Sequence, residues 1–213
     1  MQKTATRKAL VKKLGVILEP TALDFESKAV FNPGCIQEGN SVHLLYRALD
    51  AKNISSIGYA RLEGPFTVAE RLEKPILVPE KPFESHGIED PRISKIDGVY
   101  YTTYVGHDGH NAITAYLESK DLKNFKKYPP ITAGFAYSEA KEIFKKAGLK
   151  EDYLRFSDFY QKEYGKNVLV WGKDLLLFPK KINGRFALIH RILPGIQLAF
   201  FEKFEDLTDE FWR

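Results

Sequence analysis

Asp90-Pro91-Arg92-Ile93-Ser94-Lys95-Ile96-Asp97-Gly98-Val99-Tyr100-Tyr101-Thr102-Thr103-Tyr104 is the stretch that decides the fold. Two runs rich in β-branched and aromatic residues flank an Asp-Gly pair. The favoured two-residue hairpin turn needs φ > 0 at both central positions, and Asp-Gly supplies it at low steric cost. The pattern occurs twice more. Phe31-Asn32-Pro33-Gly34-Cys35-Ile36 leads through a turn at Gly39 to Ser41-Val42-His43-Leu44-Leu45-Tyr46-Arg47, and Leu177-Phe178-Pro179-Lys180-Lys181-Ile182 leads through Asn183-Gly184 to Arg185-Phe186-Ala187-Leu188-Ile189-His190-Arg191. Each copy adds a further apolar strand: Ile57-Gly58-Tyr59-Ala60, Ile113-Thr114-Ala115-Tyr116 and Ile196-Gln197-Leu198-Ala199. A repeat of several antiparallel strands is the sequence sign of a β-propeller blade. The chain therefore reads as all-β, with about three blades in one partial propeller domain over residues 1–213.

The second and third copies lie further apart than the first and second. The extra length contains Ser138-Glu139-Ala140-Lys141-Glu142-Ile143-Phe144-Lys145-Lys146-Ala147-Gly148, which predicts a helix capped at Ser138 and stopped at Gly148. A second helix is expected over Glu151 to Tyr164, giving a helical insertion at 136–167 between blades two and three. Residues 1–27 read as an N-terminal arm, with a short helix over Thr6 to Leu14 and Val16-Ile17-Leu18 as a strand or extended segment.

Composition sets the outer bounds. The 213 residues are 44% hydrophobic and 28% charged, as in a globular protein, and 13% aromatic, which suits β structure and sugar-binding surfaces. The net charge of +4 is modest, and the basic residues near the start (Lys3, Arg7, Lys8, Lys12, Lys13) read as a solvated segment rather than a nucleic-acid site. Cys35 is the only cysteine, so intramolecular disulfides and multi-cysteine metal sites are excluded; it reads as an inert core thiol and fits a cytoplasmic setting. The start has no apolar signal region, and no stretch of ~18 apolar residues offers a membrane span.

The polar residues at the blade entrances carry the chemistry. Gly87-Ile88-Glu89-Asp90-Pro91-Arg92-Ile93 presents two carboxylates and a guanidinium at the mouth of a strand, and Pro91 should hold Asp90 extended. Inner strands of a propeller line its central funnel. Asn32 in blade one, Asp90 and Arg92 in blade two, and Lys173 with Asp174 before blade three therefore fall in equivalent places. Arg47 and Arg191 lie near the ends of the second strands. Tyr104 and Trp171 can stack on a sugar face or pack in the core, and Tyr104 is counted with the substrate-binding set. His107-Asp108-Gly109-His110 has two histidines and no obvious third ligand, and reads as a turn rather than a metal site.

These motifs, with Leu45-Tyr46-Arg47-Ala48 and Pro194-Gly195-Ile196, resemble glycoside hydrolase family 130 in order from about Val30 to Phe200. The resemblance implies a five-bladed β-propeller and, for most members, inverting phosphorolysis of β-mannosides to mannose 1-phosphate. It implies Asp90 as the general acid, protonating the leaving oxygen through a sugar hydroxyl. Asn32, Arg47, Glu89, Arg92 and Tyr104 are then substrate-binding, and Arg47, Lys173 and Arg191 phosphate-binding. Inorganic phosphate is a co-substrate, and neither an organic cofactor nor a metal is expected. Lys173 stands where many phosphorylases of the family have an arginine. Two alternatives remain: a β-mannoside hydrolase, which needs a base for water, and a non-catalytic sugar-binding homologue. Three of five blades imply a chain truncated at its C-terminus, or a homo-oligomer that completes the ring and covers the open faces.

Overall fold

The structure, a computed structural model, describes residues 11–213. Residues 1–10 lie outside it, and with them Lys3, Arg7, Lys8 and most of the helix expected over Thr6 to Leu14. Strands β1 (Ala29–Glu38), β2 (Ser41–Leu49), β3 (Ser55–Glu63) and β4 (Thr67–Arg71) form the first antiparallel sheet in that order. Strands β5 (Ile88–Ile96), β6 (Val99–His107), β7 (Ala112–Ser119) and β8 (Lys126–Pro130) repeat it. The third sheet has β9 (Lys173–Leu177), β10 (Phe186–Ile192) and β11 (Gly195–Phe201). Asp97 and Gly98 (φ +51° and +81°) and Asn183 and Gly184 (+50° and +77°) form the left-handed pairs that close two of the hairpins.

The inner strands lie side by side, β1 against β5 and β5 against β9, so the sheets are blades of a propeller-type arc. Alternation along each strand sends one set of side chains to each neighbouring blade. Leu45, Ile57 and Tyr59 meet Ile88, Ile93 and Leu117 between blades one and two. Ile96 and Tyr116 meet Leu175, Leu177, Phe186 and Leu188 between blades two and three. Hydroxyls of blade two also donate to carbonyls along and before β9: Ser94 to Leu177 (2.6 Å), Thr103 to Leu175 (2.6 Å) and Thr114 to Gly172 (2.6 Å). Full burial of a leucine or isoleucine contributes about 1.5–3 kcal/mol, against about 0.5–1.5 net for a hydrogen bond. The apolar layers therefore supply most of the cohesion, and the hydroxyls fix register. On the far side of blade three, Leu176 (40% exposed), Ile196 (75%) and Leu198 (52%) remain exposed among the described residues.

Helices α1 (Tyr137–Lys146) and α2 (Glu151–Tyr164) separate the second and third sheets, and α3 (Asp209–Trp212) follows β11. Helix α1 begins ahead of Ser138, without a side-chain cap, because Tyr137 is drawn into a stack on Tyr160 of α2 (centroids 4.6 Å apart, 6° between planes). Cys35, expected in the core, is exposed: the alternation of β1 turns it to the face opposite Gly34. No described helix is long and apolar enough to cross a membrane.

Each of the first two blades stands on the same buried triad. A 3-10 turn carrying Phe-Glu-Ser precedes the inner strand, at Phe25-Glu26-Ser27 and again at Phe83-Glu84-Ser85. Its fully buried glutamate accepts the hydroxyl of a tyrosine in the second strand: Tyr46 to Glu26 (2.7 Å) and Tyr104 to Glu84 (2.6 Å). A fourth-strand cation completes the set, Arg71 on Glu26 (3.0 Å) and Lys127 on Glu84 (3.0 Å). Burial works to raise the Glu84 carboxyl, but hydrogen bonds from Tyr104 and the Glu80 amide, with Lys127 beside it, hold it below its ordinary 4.5. Its contribution is thus present above that value and is lost as pH falls through the lower folded value. Glu84→Gln should cost about 1–3 kcal/mol at neutral pH, because the amide loses the charge that accepts from Lys127 and the Tyr104 hydroxyl, while Lys127 keeps Glu80 and the Val78 carbonyl. Its denaturant midpoint should also fall less steeply below pH 4.5 than that of the wild type. Parallel acid limbs for the two proteins would contradict the assignment.

Candidate functional site

The site is built by one backbone device used three times. In each inner strand two residues oppose a single residue of the second strand, which is a β-bulge. Asn32-Pro33 faces Tyr46, Asp90-Pro91 faces Tyr104, and Asp174-Leu175 faces His190. The first bulged residue is left-handed every time, at φ +47° for Asn32, +50° for Asp90 and +55° for Asp174. Asn and Asp tolerate this region better than other side-chain-bearing residues. Pro33 and Pro91 lack an N–H and are tolerated where the ladder is already interrupted. The bulge at Gly34 also brings the strands close: an added Cβ would lie 2.6 Å from the Pro91 carbonyl oxygen.

This corrects the expectation that Pro91 holds Asp90 extended. The bulge, with one residue too many for the ladder, outweighs the local steric preference. A second correction concerns Tyr104. It is 2% exposed and bonded to Glu84 beneath the bulge, so its ring supports the Asp90 turn and cannot reach a sugar. Its phenol is pushed far above the usual range by burial and by the Glu84 carboxylate. In blade three the equivalent place holds His190, edge-on to Trp212 of α3 at 4.7 Å, with its imidazole driven down to about 4 by burial. It is neutral at pH 7.

The remaining candidates fall into two clusters. Asp90 Oδ1 accepts the Asn32 side-chain amide at 2.8 Å, and the Arg47 guanidinium lies 3.7 Å from the same oxygen. Glu89, only 7% exposed, takes Arg47 on one oxygen (2.7 Å) and Lys173 on the other (3.2 Å). It thereby ties blades one and three to blade two. Arg47 also covers the Phe31 ring at 4.9 Å, and Lys173 the Trp171 ring at 5.2 Å. His107, edge-on to Trp171 at 5.8 Å, is lowered mainly by burial, which the Glu89 charge partly opposes. In the second cluster Asp174 takes Arg191 Nε at 2.9 Å and Arg92 at 3.8 Å. The expected phosphate set is thus divided, with Arg47 and Lys173 on Glu89 and Arg191 on Asp174.

Four cations face three carboxylates across the inner strands. Such a surface can hold a neutral polyol beside an anion. Among the described residues no group of three His, Cys, Asp or Glu side chains could hold a metal. The acidic side chain of the His107–His110 loop is occupied by backbone N–H groups of His110 and Asn111. Of the pair Lys173 and Asp174 that the repeat placed opposite Asn32 and Asp90, Asp174 takes the bulge position, and the sequence assigned a binding role to Lys173 alone. The recurring Phe-Glu-Ser was an unused signal.

The left-handed bulge is open to test at Asn32. Asn32→Val should cost about 1–2 kcal/mol from backbone conformation beyond the lost Asp90 contact, whereas Asn32→Gly should be spared that part. Equal losses in chemical unfolding would contradict backbone strain at this position.

Comparison with known proteins agrees with this architecture. The model of glycoside hydrolase family 130, described as beta-1,4-mannooligosaccharide phosphorylase, matches residues 10–204. A beta-1,2-mannobiose phosphorylase of Thermoanaerobacter sp. (strain X514) is 34% identical over 83% of this chain and 51% of its own length. A 1,2-beta-oligomannan phosphorylase of the same strain is 29% identical over 91% of this chain and 56% of its own. A solved structure from work on family 130 glycoside hydrolases that target beta-1,2 mannosidic linkages in Candida mannan superposes with a TM-score of 0.66 at 21% identity, over 88% of this chain and 54% of the other. The chain spans about half the length of the curated relatives it matches. On the match across nearly all its residues, the chain belongs to glycoside hydrolase family 130.

Proposed function

We propose that this chain carries an active-site surface for inverting phosphorolysis of β-mannosides, with Asp90 as the general acid. An oxygen of inorganic phosphate attacks the anomeric carbon from the face opposite the leaving group. The glycosidic C–O bond breaks, and the leaving oxygen takes a proton that originates on Asp90, through a hydroxyl of the bound sugar. The products are mannose 1-phosphate and the shortened acceptor. Phosphate arrives as an anion, so no base is needed.

The observation that carries this reading is the pairing of carboxylates. Asp90 is presented from the central bulge with Oδ1 held by Asn32, and no described residue hydrogen-bonds Oδ2. The other two carboxylates nearby, Glu89 and Asp174, are each committed to two cations. A single acid suffices when phosphate is the acceptor, whereas water needs a base as well. Asn32, Arg47 and Glu89 would hold the mannosyl unit, and the cations would neutralise phosphate. Arginine suits this because its fork engages two oxygens at once. The phosphorylase names of the two Thermoanaerobacter relatives support the same reading.

The test is release of mannose 1-phosphate from β-linked manno-oligosaccharides with and without inorganic phosphate. Phosphate-dependent product is expected, and Asp90→Asn should lower turnover by about 10²–10⁴-fold while leaving mannoside binding largely intact. Product formed equally well without phosphate would establish hydrolysis instead, and undiminished turnover in Asp90→Asn would remove the assignment of the acid. Arg191→Ala should raise KM for phosphate more than KM for the mannoside; an equal rise would contradict its place in the phosphate set.

A further inference from the structure

We infer that Trp171 is a positioning residue, which carries the seat of the helical insertion to the Lys173 ammonium and so to Glu89. Its effect on turnover rests on the phosphorolytic reading above; its effect on the ion pair does not.

The inference starts from a difference between the two cations on Glu89. Arg47 has a planar fork that orients itself against a carboxylate, and it also lies beside Asp90. Lys173 is a point charge on a flexible stem, and Glu89, at 3.2 Å, is its one carboxylate partner among the described residues. Each cation covers an aromatic ring, Arg47 on Phe31 and Lys173 on Trp171. Phe31 is the cross-strand partner of Arg47, so the β1–β2 ladder holds its ring in place. Trp171 lies just ahead of β9, outside any ladder, and its place is fixed by other means.

Those means come from the insertion. Tyr160 and Tyr164 of α2 pack on the indole with ring centroids 4.9 and 4.8 Å away, and His107 of blade two meets it edge-on. The indole Nε1 is buried with no hydrogen-bond partner among the described residues, so packing orients the ring. The backbone is pinned from both sides. The Trp171 N–H donates to the Tyr137 hydroxyl of α1 (3.3 Å), and the Val170 N–H to the Phe135 carbonyl (3.0 Å). On the side of blade two, the Leu169 N–H donates to Asn111 Oδ1 (2.9 Å) and the Gly172 N–H to the Ala112 carbonyl (2.9 Å). A Cβ on Gly172 would lie 2.2 Å from Thr132 Cγ2, so only glycine lets the chain pass this close. The segment is thus threaded between the insertion and blade two, and Lys173 is the first strand residue after it. Without the ring the lysine stem regains rotamers, and its ammonium exchanges Glu89 for water.

A row of packed groups is not by itself coupling, so the test measures coupling. The destabilisation caused by Glu89→Gln is read by chemical unfolding in the wild type, in Trp171→Leu and in Tyr164→Leu. Among the described residues Tyr164 shares no hydrogen bond or ion pair with Glu89 or Lys173, and its variant keeps the test readable if Trp171→Leu does not fold. In both backgrounds the loss in the folding equilibrium constant caused by Glu89→Gln should be about fivefold smaller than in the wild type. The difference should vanish once Lys173→Met is present, and Trp171→Phe, which keeps a ring under the ammonium, should restore most of the wild-type loss. A merely structural role would lower stability in each background and leave the effect of Glu89→Gln unchanged. In turnover, Trp171→Leu should lower kcat/KM about tenfold in the wild type and less than about twofold in Lys173→Met, because the indole acts through the lysine. An unchanged Glu89→Gln effect in either background, or a coupling that persists in Lys173→Met, overturns the inference. If product forms without phosphate while the coupling behaves as expected, the phosphorolytic reading fails and the role of Trp171 stands. If turnover is phosphate-dependent and the coupling is absent, only the inference fails.

Discussion

Two residues of an inner strand set against one residue of the next strand is the constraint on which this structure turns. The extra residue cannot join the ladder, so it adopts a left-handed conformation and projects its side chain from the strand. Asn32, Asp90 and Asp174 are those residues. The single residue opposite each bulge, Tyr46, Tyr104 or His190, is buried beneath it. In blades one and two a glutamate and a cation lock that tyrosine by its hydroxyl. In those two blades the left-handed bulge is therefore held in place by a buried polar triad one layer below it.

Charge pairing then distributes the roles. Glu89 is nearly buried and would be costly if unpaired, and it receives a cation from the blade on each side. An ion pair at this depth contributes little net stability compared with an apolar substitute, and the apolar layers between blades already supply cohesion. What the pairing adds is geometry: Arg47 is set beside Asp90, and the side chains of three blades share one frame. Asp174 lies between Arg92 and Arg191 in a more exposed setting.

Much of this was legible in the chain. The Asp97-Gly98 and Asn183-Gly184 turns identified hairpins because their required backbone is written in the residue type. The helices after blade two were visible from residues that favour helix between two β repeats. The conformation of Asp90 was not, because the rule for a residue before proline is local, whereas the bulge is set by pairing with β6. The burial of Tyr104 was hidden for a related reason: its partner Glu84 lies on the loop before the strand, and only the repeated Phe-Glu-Ser hinted that the tyrosine had a fixed partner. Cys35 looked apolar by its neighbours, but the register of β1 after the bulge decides its face. The division of the cations between two carboxylates depends on how three blades approach one another, information that no single segment contains.

The claim that Glu89 joins the blades into one frame is tested most directly by a double-mutant cycle of Glu89→Gln and Lys173→Met, read by chemical unfolding of the two single variants, the double variant and the wild type. The account predicts a coupling of about 1–3 kcal/mol, as for residues sharing one buried ion-pair network. Strictly additive losses would show that the two side chains do not act together, and would contradict a shared frame across blades two and three.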